Sequence, residues 1–153
     1  MLPVLNVSQL KKLEIIARVD IFKPLSLQQR ELLLLRTQIY KCAKMQLIQS
    51  PEDHNTHLYI LLSGSADVYR KDDVLPVGRI NAGEFIGEGS FISGNYKSAA
   101  AKAREESLVL CIDQDTLHGL PSEMTNLIKD SIIKGMAKRI GQLSETISKL
   151  QAK

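Results

Sequence analysis

The residues able to do chemistry are concentrated in one stretch: Gly83-Glu84-Phe85-Ile86-Gly87-Glu88-Gly89-Ser90-Phe91, followed by Lys97-Ser98-Ala99-Ala100-Ala101. Three glycines within seven residues leave backbone N–H groups unshielded by side chains. A short helix beginning at Glu88 would turn its N-terminus toward an anion. Lys97 adds a positive charge and Ser98 a hydroxyl. Backbone donors, a cation and a hydroxyl together describe a phosphate cradle. Glu88 alone would repel phosphate, so it fits a ligand that also carries hydroxyls, as a ribose does. The same glycines would equally suit a barrel corner that needs them for its bends. Spacing alone leaves both readings open.

Other reactive side chains form no comparable group. His54 and His57, with Asp53, lie in a polar loop without a further ligand, so no metal is expected there. His118 sits beside Gly119 in a turn and reads as structural. Cys42 and Cys111 fall in predicted strands and read as buried, inert thiols. The sequence contains no Ser-His-Asp, paired-carboxylate or Gly-Lys-Thr constellation. Neither enzymatic activity nor a cofactor is expected.

The elements that must position the glycine-rich stretch follow from composition and periodicity. The chain has 153 residues, 44% apolar and 24% charged. That is enough for one core and unlike collagen-like, disordered or disulfide-scaffold compositions. No apolar run approaches the length of a membrane span, and no signal peptide is visible. A cytoplasmic setting without membrane attachment is expected. Residues 1–37 read as helical. Ser8 is placed to cap a helix with Leu10, Leu13, Ile16 and Ala17 on one side. Ser26 and Gln29 have the spacing of a capping box ahead of the Leu32, Leu33, Leu34, Leu35 block, expected to be largely buried. Residues 38–113 alternate short apolar stretches (46–49, 58–62, 66–69, 74–80 and 108–112) with turn residues. That pattern indicates an antiparallel barrel or sandwich, with Lys71-Asp72-Asp73 as a hairpin tip. Residues 114–153 read as a hinge and a long helix, with Ser122 as its cap. On it Ile133, Met136, Ile140, Leu143, Ile147 and Leu150 are spaced 3, 4, 3, 4, 3. That heptad seam predicts a homodimer through the C-terminal helix. Net charge is +3, and residues 127–153 hold six Lys/Arg against two Asp/Glu, so the basic excess lies on that helix.

The glycine-rich stretch resembles the phosphate-binding cassette of cyclic nucleotide-binding domains, a family that includes bacterial catabolite activators and regulatory subunits of cyclic-AMP-dependent kinase. Phe85-Ile86-Gly87-Glu88 and Ser98-Ala99-Ala100 fit its pattern, with the cassette spanning 83–101. The resemblance extends to Asp20-Ile21-Phe22-Lys23-Pro24-Leu25-Ser26 before the first barrel strand and to Leu58-Tyr59-Ile60-Leu61-Leu62-Ser63-Gly64-Ser65 in the central hairpin. It also covers residues 108–113 and Met136-Ala137-Lys138-Arg139-Ile140. It implies an α+β fold: a jelly-roll antiparallel β-barrel with N-terminal helices and a long C-terminal helix.

The resemblance also implies roles. The ligand, cAMP or cGMP, would lie against Phe85, Ile86, Gly87, Glu88, Gly89, Ser90, Lys97, Ser98 and Ala99. Gly87 and neighbouring N–H groups would face the cyclic phosphate, Glu88 would accept from the ribose 2′-hydroxyl, and Ser98 would donate to phosphate or base. Arg139 would hold Glu88, and Leu143 and Ser144 would stand near the base. Lys97 replaces the family's usual arginine and Leu143 a base-reading threonine. Glu52 and Asn55 stand where glycines are usual in the first hairpin, with Asn55 the residue suited to a left-handed turn. The chain ends at Lys153, where related transcription factors continue into a DNA-binding domain. The expectation is therefore a free-standing sensor that contacts an unidentified protein partner and no DNA. The alternative is a ligand-independent interaction scaffold.

Overall fold

The computed structural model describes residues 1–152. Strand β1 (Leu2–Pro3) leads into helix α1 (Gln9–Ala17), a 3-10 turn (Asp20–Phe22) and helix α2 (Leu27–Arg36). Among the described residues nine strands form two antiparallel sheets. Besides β1 they are β2 (Gln38–Cys42), β3 (Leu47–Gln49), β4 (Leu58–Ser63), β5 (Ser65–Arg70), β6 (Gly78–Asn81), β7 (Phe85–Ile86), β8 (Ala99–Ala103) and β9 (Ser107–Ile112). Helix α3 (Glu88–Ser93) sits between β7 and β8. Helices α4 (Gln114–Gly119) and α5 (Ser122–Gln151) end the chain. One sheet runs β1-β2-β9-β4-β7 and the other β3-β8-β5-β6. The expected α+β architecture is therefore present, with helices at both ends and two antiparallel sheets packed face to face in place of a closed barrel.

The packing explains the apolar run of β4. Leu58, Ile60 and Leu62 face a core shared with the helices, alongside Ile16, Phe22 and Leu33. Tyr59 and Leu61 face a second core between the sheets, with Ile48, Ile80 and Val109. A strand buried on both faces has no polar face to show. Helix α5 enters the first core through Met124, Ile128 and Ile132. Beyond Gly141 every described residue of the helix is exposed.

Local signals fared unevenly. Ser8 caps α1 by accepting from the Lys11 N–H, and Ser26 and Gln29 form the reciprocal capping box. The leucine block is not largely buried: Leu33 alone is fully enclosed and Leu35 is 76% exposed, because one helix face meets the core. Leu10 is likewise exposed at the open end of α1, while Ile16 is buried. Ser122 is the first helical residue rather than the cap. Pro121 holds the cap position and makes no side-chain bond there. The predicted strand 74–80 shrinks to Gly78–Asn81, since Pro76 lacks the N–H a ladder needs and Val74 and Leu75 project into solvent. Between β3 and β4, which lie in different sheets, the left-handed residue is His54, φ 51°, following a 3-10 turn at Pro51–Asp53, and neither Glu52 nor Asn55.

Candidate ligand-binding site

The glycine-rich stretch begins as two residues of strand. Ile86 and Phe85 pair with Tyr59 and Ile60 of β4, which fixes where the chain leaves the sheet. Gly87 then turns left-handed, φ 92°, and caps α3. Glycine is required on two counts. L residues rarely adopt that φ, and a Cβ there would lie 2.6 Å from the His57 carbonyl oxygen. Helix α3 closes at Gly94, also left-handed, and residues 95–98 return the chain to β8.

This turn and helix wall a cleft of about 550 Å³. Ile86, Gly87, Glu88, Gly89 and Ser90 line one side, Lys97, Ser98 and Ala99 another, and Arg139 reaches it from α5. Of the sequence-selected residues, these nine come together. Phe85 does not face the cleft. Its ring packs beneath Gly135, where an added Cβ would come within 2.5 Å of the ring. Leu143 and Ser144 lie exposed on the projecting part of α5 and do not line the cleft.

Arg139 joins three pieces of chain. Its Nη1 donates to Glu88 Oε1 in an ion pair, and its Nη2 donates to the Phe85 carbonyl at 2.7 Å. The guanidinium carbon stands 5.2 Å from the centre of the Phe85 ring. The arrangement fixes the Glu88 carboxylate at the cleft wall.

Lys97 takes a course that its position in the sequence does not reveal. The side chain is buried, 7% exposed, and its ammonium donates to the His57 carbonyl at 2.6 Å and to Ser90 Oγ at 2.9 Å. It also stands 5.5 Å from the centre of the Tyr59 ring. Burial pushes its pKa below the ordinary 10.5, partly offset by the nearby Cys111, Asp53 and Glu88. An ammonium carries three donors, so one remains after these two bonds. Ser90 Oγ in turn donates to the Gly87 carbonyl, so Lys97 ties α3 to the loop before β4.

Sequence reasoning missed Gln49. It is 3% exposed and lines the cleft from β3. Its Nε2 donates to the Ala99 carbonyl at 3.1 Å, while Oε1 has no partner among the described residues. A polar residue in an otherwise apolar triplet, Leu47-Ile48-Gln49, was the available signal. Tyr96 was also missed. It stacks on His54, ring centres 5.0 Å apart, at the cleft's rim. Burial lifts the Cys111 thiol to about 12, consistent with an inert sulfur.

A family model described as the cyclic nucleotide-binding domain matches residues 41–123. No curated protein matches the chain significantly. Among solved structures, a cyclic nucleotide-binding domain from Methylobacillus flagellatus KT is 21% identical, with a TM-score of 0.77 over 90% of this chain and 80% of that one. The catabolite activator protein of Thermus thermophilus is 21% identical, TM-score 0.69, over 86% of this chain and 63% of that one. The regulatory subunit of a cAMP-independent protein kinase A from Trypanosoma brucei is 17% identical, TM-score 0.67, over 87% and 47%. At such identities the likeness is one of fold. Among the described residues no helix is long and apolar enough to cross a membrane. The family match covers more than half of the chain and includes the whole turn, helix and strand that wall the cleft: this chain belongs to the cyclic nucleotide-binding domain family.

Proposed function

We propose that the domain is a receptor for a cyclic purine nucleotide, cAMP or cGMP, that signals to a partner protein and catalyses nothing itself. The observation that carries this reading is the Glu88–Arg139 pair at the wall of the cleft. One carboxylate oxygen is engaged by the guanidinium, which leaves the other to accept from a ribose hydroxyl. The N–H groups of Gly87 and Gly89, the Ser98 hydroxyl and the third Lys97 donor supply the phosphate end. Ala99 and Ile86 offer apolar surface beside it. Leu143 and Ser144 lie outside the cleft of their own chain. The cleft is within the usual volume range of small-molecule sites.

One observation favours the second reading, a scaffold that responds to no nucleotide. Two of the three Lys97 ammonium donors are already engaged by His57 and Ser90, so the cassette is held together without an anion. Calorimetry of the purified protein against cAMP, cGMP and 5′-AMP separates the two. The expected result is one cyclic nucleotide per chain at micromolar or weaker affinity, with 5′-AMP weaker still. Its extra charge and freer phosphate fit a closed cradle poorly. Absence of both heat and thermal shift at millimolar ligand would establish the scaffold reading instead.

A further inference from the structure

We propose a second ligand site, distinct from the cassette cleft, that takes an oligophosphate: two or more adjoining phosphoryl groups. A cleft of about 520 Å³ lies between α5, the segment from Arg18 to Pro24 and residues 82–85. Five cationic side chains line it: Arg18 and Lys23 on one wall, Lys134, Lys138 and Arg139 on the other. Only two carboxylates share the lining, and both are engaged. Asp20 is paired with Lys23 at 2.7 Å, and Glu84 accepts from the Asn81 N–H at 2.8 Å. Lys23 and the nearby Lys138 also hold the Asp20 carboxyl below its ordinary pKa. Among the described residues Arg18, Lys134 and Lys138 have no carboxylate partner. Three unpaired cations from two walls of one cleft leave a local positive field that a multiply charged anion would relieve.

The cleft is built into the packing. Its floor is set where Gly135 rests on the Phe85 ring, a contact too close for any Cβ. That contact fixes the spacing between α5 and β7 while lysines one turn apart, Lys134 and Lys138, stay exposed at the rim. Polar and apolar surface are mixed, with Ile21 and Pro24 beside the cations and no exposed aromatic ring to stack a base. Recognition would therefore read the phosphoryl chain. Inorganic oligophosphate and a nucleoside triphosphate share that chemistry. On α5 the cleft residues Ser131, Lys134, Lys138 and Gln142 occupy a different face from Ile133, Ile140 and Leu143, so an occupied cleft leaves the heptad seam uncovered.

Arg139 belongs to both clefts. An anion in the second cleft competes with Glu88 and the Phe85 carbonyl for one guanidinium. Occupancy of one cleft therefore changes affinity at the other, and equally in both directions. This coupling rests on the nucleotide reading of the first cleft, whereas oligophosphate binding does not.

The test is titration of the whole protein with pyrophosphate, tripolyphosphate, ATP and orthophosphate at low salt. Saturable binding of one tripolyphosphate per chain is expected, with ATP similar and orthophosphate weaker. Lys134→Ala with Lys138→Ala should weaken tripolyphosphate by roughly fivefold to tenfold, as two exposed charge contacts would. Lys129→Ala with Lys149→Ala, elsewhere on the same helix, should change little. Ser98→Glu places a negative charge at the rim of the first cleft and should leave tripolyphosphate binding intact. Equal losses in the two lysine pairs would show general attraction to a basic helix, and loss in Ser98→Glu would place the anion in the cassette. Either result, or binding by an acidic peptide alone, overturns the proposal. Failure of the cyclic nucleotides to alter tripolyphosphate affinity, with that binding intact, counts against the coupling and the nucleotide reading only.

Discussion

An ammonium group enclosed by a carbonyl oxygen, a hydroxyl and an aromatic face has exchanged water for few partners. The desolvation of Lys97 makes its charged form less favourable in the folded chain than in the unfolded one. The folded pKa is therefore below the unfolded value, and the folded state binds fewer protons between the two. Below the folded pKa the penalty on the charged amine is present in full. As pH rises through that pKa toward 10.5, the folded chain sheds its proton first and the penalty is relieved. Lys97→Met removes the titrating group. Thermal unfolding of both proteins from about pH 7 to pH 10 should show wild type gaining stability relative to Lys97→Met as pH rises. A difference independent of pH would mean that His57, Ser90 and the nearby acidic groups fully compensate for the lost water. The sequence puts Lys97 close behind the glycine-rich turn but does not show that it points inward. That direction is set by the His57 carbonyl, forty residues away along the chain.

Two elements meet at the Glu88–Arg139 pair, one in a six-residue helix and the other in a thirty-residue helix. Neither partner is strongly exposed, so their interaction is less screened than that of the surface pairs along α1 or at the end of α5. Glu88→Gln keeps shape and removes charge, leaving Arg139 without its ionic partner. Combined with Arg139→Met in a double-mutant cycle on unfolding free energy, it should reveal a coupling of about 0.5–3 kcal/mol. Strict additivity would show that the pair does not hold α3 against α5. The legibility of elements divides along the same line. Caps at Ser8 and Ser26 were readable because capping chemistry is local, within three residues. Strand β4 was readable because burial on both faces leaves an unbroken apolar run. Strand β2 was legible only at Cys42, since Gln38 and Lys41 mask its alternation, and β8 emerged from the family pattern rather than from its alanines. The role of Gln49 depends on a contact with Ala99 across the sheet, and no spacing rule reports that. The Gly87 turn was visible as glycine, but the carbonyl that forbids a Cβ there was not.

At the scale of the whole molecule, the surface of α5 stands out. Ile133, Ile140, Leu143, Ile147 and Leu150 are each more than half exposed, and only Met136 of the seam touches the core. The seam therefore does not pack on its own barrel. A narrow apolar stripe with a 3.5-residue period is suited to a second helix of the same kind. We expect a parallel homodimer. Leu143→Asp would bury a charge against its symmetry mate and should halve the mass seen by light scattering, with circular dichroism unchanged. A monomeric wild type at tens of micromolar would refute the homodimer and leave the stripe to a different partner chain.

Helix α5 is anchored at one end only. Met124, Ile128 and Ile132 fix its first turns in the core, and Arg139 is its last tie to the barrel. From there to Gln151 the helix continues for roughly 18 Å, at about 1.5 Å per residue. The anchored part is a fulcrum and the free part a lever. A tilt of about 10° at Arg139 would move the tip by roughly 3 Å, comparable to half a helical turn. A change at the cleft too small to disturb the barrel would thus arrive at the far end of the helix as a displacement large enough to alter which residues meet across a seam.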